Sequence, residues 1–237
     1  MRFIDLSNKG LTSLVGMVPE SVERVFCYGN KLTSLEGLPE GVRHVHCNNN
    51  EITSLKGLPE GVERVHCIYN KLTSLEGLPE GVKFINCSHN EITSLKGLPE
   101  GVRSFSFSYN KLTSLEGLPE GVKKVFCYNN ELTSLEGLPR SVSVVWCYNN
   151  NLTSLKGLPK GVREVRCNNN EITSLEGLPK GVWGVDCSNN KLTSIEGLPE
   201  GVYVEYNNNP IWLKHLFEGK LPPQEAEGIE KIIKYIK

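Results

Sequence analysis

Eight cysteines could carry metal, disulfide or nucleophilic chemistry, and their spacing decides among these. Cys27, Cys47, Cys67, Cys87, Cys127, Cys147, Cys167 and Cys187 fall on one twenty-residue period, with Phe107 standing where a ninth would be. A zinc site needs four ligands around a point, whereas this column is a line. A disulfide framework shows uneven spacings in a small secreted domain. The remaining reading is a ladder of buried, reduced thiols acting as small apolar residues. Oxidants would attack such thiols whenever repeats open, so a reducing, cytoplasmic compartment is expected. A second group is Arg24, His44, His46, Arg64 and His66. Imidazoles bind metals, but the flanking arginines repel a cation, and no metal is expected. An acidic or phosphorylated partner segment suits this group better, with binding that weakens with salt and as pH rises through the histidine range. A plain solvated polar surface is the alternative. The third group is Phe126, Tyr128, Trp146 and Tyr148, flanked by Lys124 and Val144. Aromatic patches mark interaction sites, and Trp and Tyr are enriched at binding hot spots. The alternative is cross-strand packing that only stiffens a sheet. No nucleophile elbow, phosphate-binding glycine loop or zinc motif occurs, and Glu164 and Asp186 near Arg166 read as charge pairing. Neither an enzyme nor a cofactor is expected.

These residues are positioned by an internal repeat. Nine blocks of twenty, from 21 to 200, read [GS]-V-x-x-[VIF]-x-[CF]-x-x-N-x-[LI]-T-S-[LI]-x-G-L-P-x without an insertion. Partial units precede them (Ile4, Leu6, Leu11, Leu14) and follow them (Val204, Tyr206, Asn209, Ile211). Within one block, Val65 and Cys67 alternate with polar residues, the period of a strand with one buried face. Asn70 follows where the chain must turn, and its recurrence every twenty residues predicts a buried amide ladder. Leu72, Leu75 and Leu78 return to the core. Thr-Ser between them has little helix preference, and Gly77 with Pro79 breaks any helix. The convex side should be extended or polyproline-like. A single unit cannot bury its apolar face; stacking closes the core.

Charge supports that register. The residue after the Asn runs Lys31, Glu51, Lys71, Glu91, Lys111, Glu131, and five positions later the signs invert. Neighbouring units would set opposite charges about 5 Å apart, an alternation expected to lapse after Glu131.

The segment V-x-x-V-x-C-x-x-N-x-L resembles the leucine-rich-repeat signature, and L-T-S-L-x-G-L-P resembles the short-repeat subtype of bacterial effectors of the YopM and IpaH kind. The resemblance covers residues 1–211. It implies a curved solenoid with a parallel sheet on its concave face. Some such proteins carry a ubiquitin-ligase domain after the repeats; Pro210–Lys237 is too short for one and has no Cys.

Two regions are expected: a repeat domain over 1–209 and a helical cap over 210–237. In the cap, Ile211, Trp212, Leu213, Leu216 and Phe217 suggest a short helix, and Ile229, Ile232, Ile233 and Ile236 stripe a second. A partner-docking or membrane-surface helix is the alternative. The formal net charge of -1 implies no overall pull to nucleic acid or membrane. No run approaches the roughly 18 apolar residues of a membrane helix, and no secretory signal is apparent. The expected function is capture of a protein partner on the concave face by a monomer, as a microbial or viral host-interaction protein acting in host cytosol if exported. The alternative is a structural or self-assembling protein, dimerising through an uncapped first strand.

Overall fold

The computed structural model describes residues 2–211. The expected helical cap lies outside these residues, apart from Pro210 and the buried Ile211. The twenty-residue blocks coil into a solenoid, each contributing one three-residue strand. In chain order these are β1 (Phe3–Asp5), β2 (Arg24–Phe26), β3 (His44–His46), β4 (Arg64–His66), β5 (Phe84–Asn86), β6 (Ser104–Ser106), β7 (Lys124–Phe126), β8 (Val144–Trp146), β9 (Glu164–Arg166), β10 (Gly184–Asp186) and β11 (Tyr203–Glu205). All pairings are parallel and keep the repeat in register, as in Val45 against Val65.

The strands are short because the inward positions are spent quickly. Val65 and Cys67 are fully buried, and the chain then turns through Tyr69 at φ 55°. Asn70 closes the turn. Its amide nitrogen donates to the carbonyls of Cys47 (3.0 Å), Cys67 (3.1 Å) and Ile68 (3.4 Å), and its amide oxygen accepts from the Ile52 N–H (3.0 Å). One side chain thereby satisfies backbone groups from neighbouring units that burial would otherwise leave unpaired. The same bonds recur from Asn30 to Asn209 and form the expected ladder. Leu72 and Leu75 then fill the core.

No helix forms on the convex side between these leucines. The Leu58 N–H bonds the Leu55 carbonyl (3.2 Å) and the Val62 N–H bonds the Pro59 carbonyl (3.1 Å), so the side is built of linked turns. Gly57 is needed there: its φ is +92°, and a Cβ would stand 2.7 Å from the Glu36 nitrogen. Only a residue without a side chain lets successive units approach so closely.

The expected sheet is interrupted once. Strands β1–β6 form one sheet and β7–β11 another. The break coincides with Phe105 and Phe107, which replace the smaller core residues of other units; both are buried, with rings 5.3 Å apart. A close-packed interior has no spare volume, so two phenyl rings hold β6 and β7 apart. The solenoid carries through, because the Tyr109 N–H still bonds the Tyr128 carbonyl (3.0 Å) and Asn130 still reaches the Phe107 carbonyl (3.0 Å). On the convex side near the same units a hollow of about 520 Å³ opens beside Thr93, Thr113 and Gly117.

Ion pairs form at the twenty-residue step, as Lys71–Glu51 (2.8 Å), Lys111–Glu91 (2.8 Å) and Lys56–Glu76 (2.6 Å). Lys191 also pairs with Glu171, so pairing resumes beyond Glu131, where it was expected to lapse. Both partners are exposed in every case, and each pair contributes little.

Candidate functional site

Alternation along each strand sends the first and third residue to the inner wall and the second to the core. On that wall, side chains in register or one diagonal step apart come close enough for rings to meet. A continuous row results: Phe3 meets Phe26 edge-on (6.2 Å), Phe26 stacks on His46 (4.7 Å), His46 on His66 (4.4 Å), and His66 meets Phe84 (4.8 Å). The guanidinium of Arg64 lies 5.9 Å from the Phe84 ring centre.

This environment moves the histidines below their ordinary pKa. Burial lowers His46 to about 4, with His66, Arg24 and His44 adding charge repulsion. His44 and His66 shift the same way, led by burial, with Arg64 acting on both. At neutral pH the cationic charge of this group therefore comes from Arg24 and Arg64. The pH window expected for histidine-dependent binding is correspondingly displaced to acid. Among the described residues, no three His, Cys, Asp or Glu side chains converge to hold a metal.

The second aromatic group assembles as its spacing suggested. Phe126 and Trp146 meet at 4.8 Å and 61°, while Tyr128 and Tyr148 stack at 4.4 Å. Lys124 and Val144 are paired in register beside them. Trp146 is also held from β9: its indole N–H donates to Glu164 Oε1 (3.0 Å), and the Arg166 guanidinium covers the ring at 4.3 Å. Arg166 in turn bonds Glu164 (3.2 Å), which makes Trp146 the centre of a small fixed network. Burial, together with the neighbouring Tyr128, pushes the Tyr148 hydroxyl up to about 12, so this phenol stays a neutral hydrogen-bonding group near pH 7.

The cysteines lie in the core behind this wall. All eight are free and buried, and Cys67 and Cys87 bring their sulfurs within 2.9 Å. Burial pushes up the thiols of Cys27, Cys47, Cys67, Cys127, Cys147, Cys167 and Cys187, to about 12 for Cys127, which keeps them protonated and poor nucleophiles.

No protein-family model and no curated protein matches the sequence. Many solved structures match its fold. YopM from Yersinia enterocolitica WA-314 superposes with a TM-score of 0.69 at 27% identity, over 81% of this chain and 48% of that one. A Shigella effector leucine-rich-repeat domain gives 0.55 at 26% identity, over 63% and 70%. The functional domain of InlJ from Listeria monocytogenes, described as including a cysteine ladder, gives 0.65 at 20% identity, over 87% and 53%. The fold is a leucine-rich-repeat solenoid. The chain spans about half the length of the Yersinia enterocolitica protein it matches.

Within this leucine-rich-repeat frame, the column just before the Asn supplies further surface that the alternation of strand residues does not reveal. Most units place Asn or Gly there, as a positive φ favours. Three consecutive units place Tyr69, His89 and Tyr109 instead, at φ 55–56°. Their rings stack at 4.1 and 4.0 Å, and Tyr109 continues edge-on to Tyr128 at 5.7 Å. The signal was present: a bulky residue where the backbone prefers Asn or Gly is an outlier. The aromatic patch therefore extends along the rim from Tyr148 to Tyr69.

Proposed function

We infer that this leucine-rich-repeat solenoid is a non-catalytic module that captures a protein partner on its concave face. Phe126, Tyr128, Trp146 and Tyr148 serve as the central anchor, with Lys124 and Val144 at their border. One observation carries the reading: the middle of the wall presents half-buried aromatic side chains, held in place, where a merely solvated sheet would carry Lys, Glu and Thr. Fixed aromatic groups bind with little loss of side-chain freedom. Arg24, His44, His46, Arg64 and His66 form a second contact, suited to an acidic or phosphorylated segment. Likeness to effector repeats supports a microbial or viral protein directed at host partners.

The test compares immobilised wild-type chain with Trp146→Ala/Tyr148→Ala in host-cell lysate, after both melt alike. A protein held by the first and released by the second is expected. Equal capture by a folded double variant refutes the anchor.

A second reading is self-assembly through β1. It is favoured by apolar exposure at that end, where Phe3 is 66% and Val15 65% accessible. Light scattering that grows with concentration supports assembly; a constant monomer mass rejects it.

A further inference from the structure

The inner wall changes sign along its length. From β2 to β8 its outward strand positions hold Arg24, Arg64 and Lys124 and no carboxylate. On β9, β10 and β11 they hold Glu164, Asp186 and Glu205 against Arg166 alone. Arg166 is already engaged with Glu164 and the Trp146 ring.

Within this acidic end one outward position has no side chain. Gly184 stands in register between Glu164 on β9 and Tyr203 on β11. A Cβ built there meets nothing within 4 Å, and the backbone is not in the positive-φ region, so the fold itself does not require glycine. The missing side chain opens a recess of about 320 Å³, lined by Glu164, Arg166, Trp183, Asp186, Tyr203 and Glu205. Trp183 and Tyr203 are 59% and 66% accessible, and the Tyr203 hydroxyl donates to Glu205 Oε1 at 3.0 Å.

We propose that this recess receives an arginine side chain of the protein partner lying along the concave face. A guanidinium is planar; it stacks on an indole or phenol ring while its N–H fork reaches carboxylates at the ring edge. The recess offers both kinds of group around one opening. Its volume sits at the lower end of ligand pockets, about 300–1,000 Å³, which suits one long side chain. With the Arg24–Arg64 end it gives the wall a polarity. The partner segment runs with its acidic part over β2–β4 and its arginine over β9–β11. This rests on the reading that the wall binds protein, and the test is separate from it.

The probe is acetyl-Gly-Arg-Gly-amide, added to the full chain labelled with nitrogen-15. The Trp183 indole N–H signal is followed. It should shift and saturate with a Kd on the order of millimolar, as one cation–π contact plus one ion pair implies. The citrulline counterpart, neutral and of similar shape, should leave it still. Gly184→Leu, which fills the recess without backbone strain, should abolish the shift. Asp186→Asn/Glu205→Gln, which keeps shape and removes charge, should weaken binding about tenfold. No shift with the arginine peptide, an equal shift with citrulline, or an undiminished shift in Gly184→Leu overturns the proposal. A tighter response to free L-arginine than to the capped peptide overturns its assignment to a protein side chain. If the aromatic anchor fails instead, the lysate comparison with the Trp146/Tyr148 variant fails while the arginine shift persists.

Discussion

His46 shows how a side chain that looks like a pH sensor can be held out of its usual range. It stacks between Phe26 and His66, and burial leads its fall to about 4. The sign for stability follows from proton uptake. Between the ordinary histidine pKa near 6.5 and the folded value, the unfolded chain takes a proton that the folded chain refuses. The stabilising contribution is therefore complete above about pH 6.5 and is lost as pH falls toward 4. Proton NMR of the imidazole should give a midpoint near 4 for His46, well below that of a free histidine. His46→Phe, which extends the Phe26 row, should flatten the fall in urea midpoint between pH 6.5 and 4. An unchanged slope would show that His46 is not the group responsible. A bound acidic segment acts oppositely, since it favours imidazolium and tightens as pH drops.

At the scale of the strand and its turn, each unit is defined by where its backbone groups bond, and one junction departs from the rule. Elsewhere the amides after the turn bond back to the previous unit, as Lys83 (2.9 Å) and Phe84 (3.1 Å) do to the Glu63 carbonyl. No equivalent bonds join Lys123 and Lys124 to Arg103. Core volume explains the gap, since Phe105 and Phe107 occupy the places held by Val and Cys on most other units. Phe105→Val/Phe107→Cys should let β6 and β7 close. Hydrogen exchange at Lys123 and Lys124 should then slow roughly tenfold, as one gained backbone bond of about 1–1.5 kcal/mol implies. Unchanged exchange would mean that the two rings do not cause the break.

For the whole molecule, nearest-neighbour stacking makes stability a sum over units and interfaces. Inserting two further copies of residues 81–100 after Glu100 keeps every core column and copies neither the histidine–arginine group nor the Trp146 group. It should raise both the urea midpoint and the denaturant slope, since more surface is buried. The same insertion moves the histidine–arginine group about 10 Å further from Trp146, at roughly 4.8 Å per strand. A partner touching both should lose affinity while the protein gains stability. Parallel rises in both quantities would argue that the partner uses one group alone. A lower midpoint would contradict the additive stack.

Much of the solenoid is legible in the chain itself, because its causes repeat every twenty residues. Val65, Cys67, Asn70, Leu72 and Gly77 each meet a local requirement: burial on alternate positions, a turn amide, a return to the core, a close backbone approach. Register then follows from repetition, and with it the pairing of Phe126 with Trp146 and of Tyr128 with Tyr148. The tertiary structure alone decides what depends on volume and direction across units. Two phenylalanines part a sheet whose pattern is unbroken. Tyr69, His89 and Tyr109 stack because their left-handed backbone aims all three rings the same way. Gly184, one varied residue in a column, becomes the floor of an acidic recess only once Glu164, Trp183 and Tyr203 stand around it.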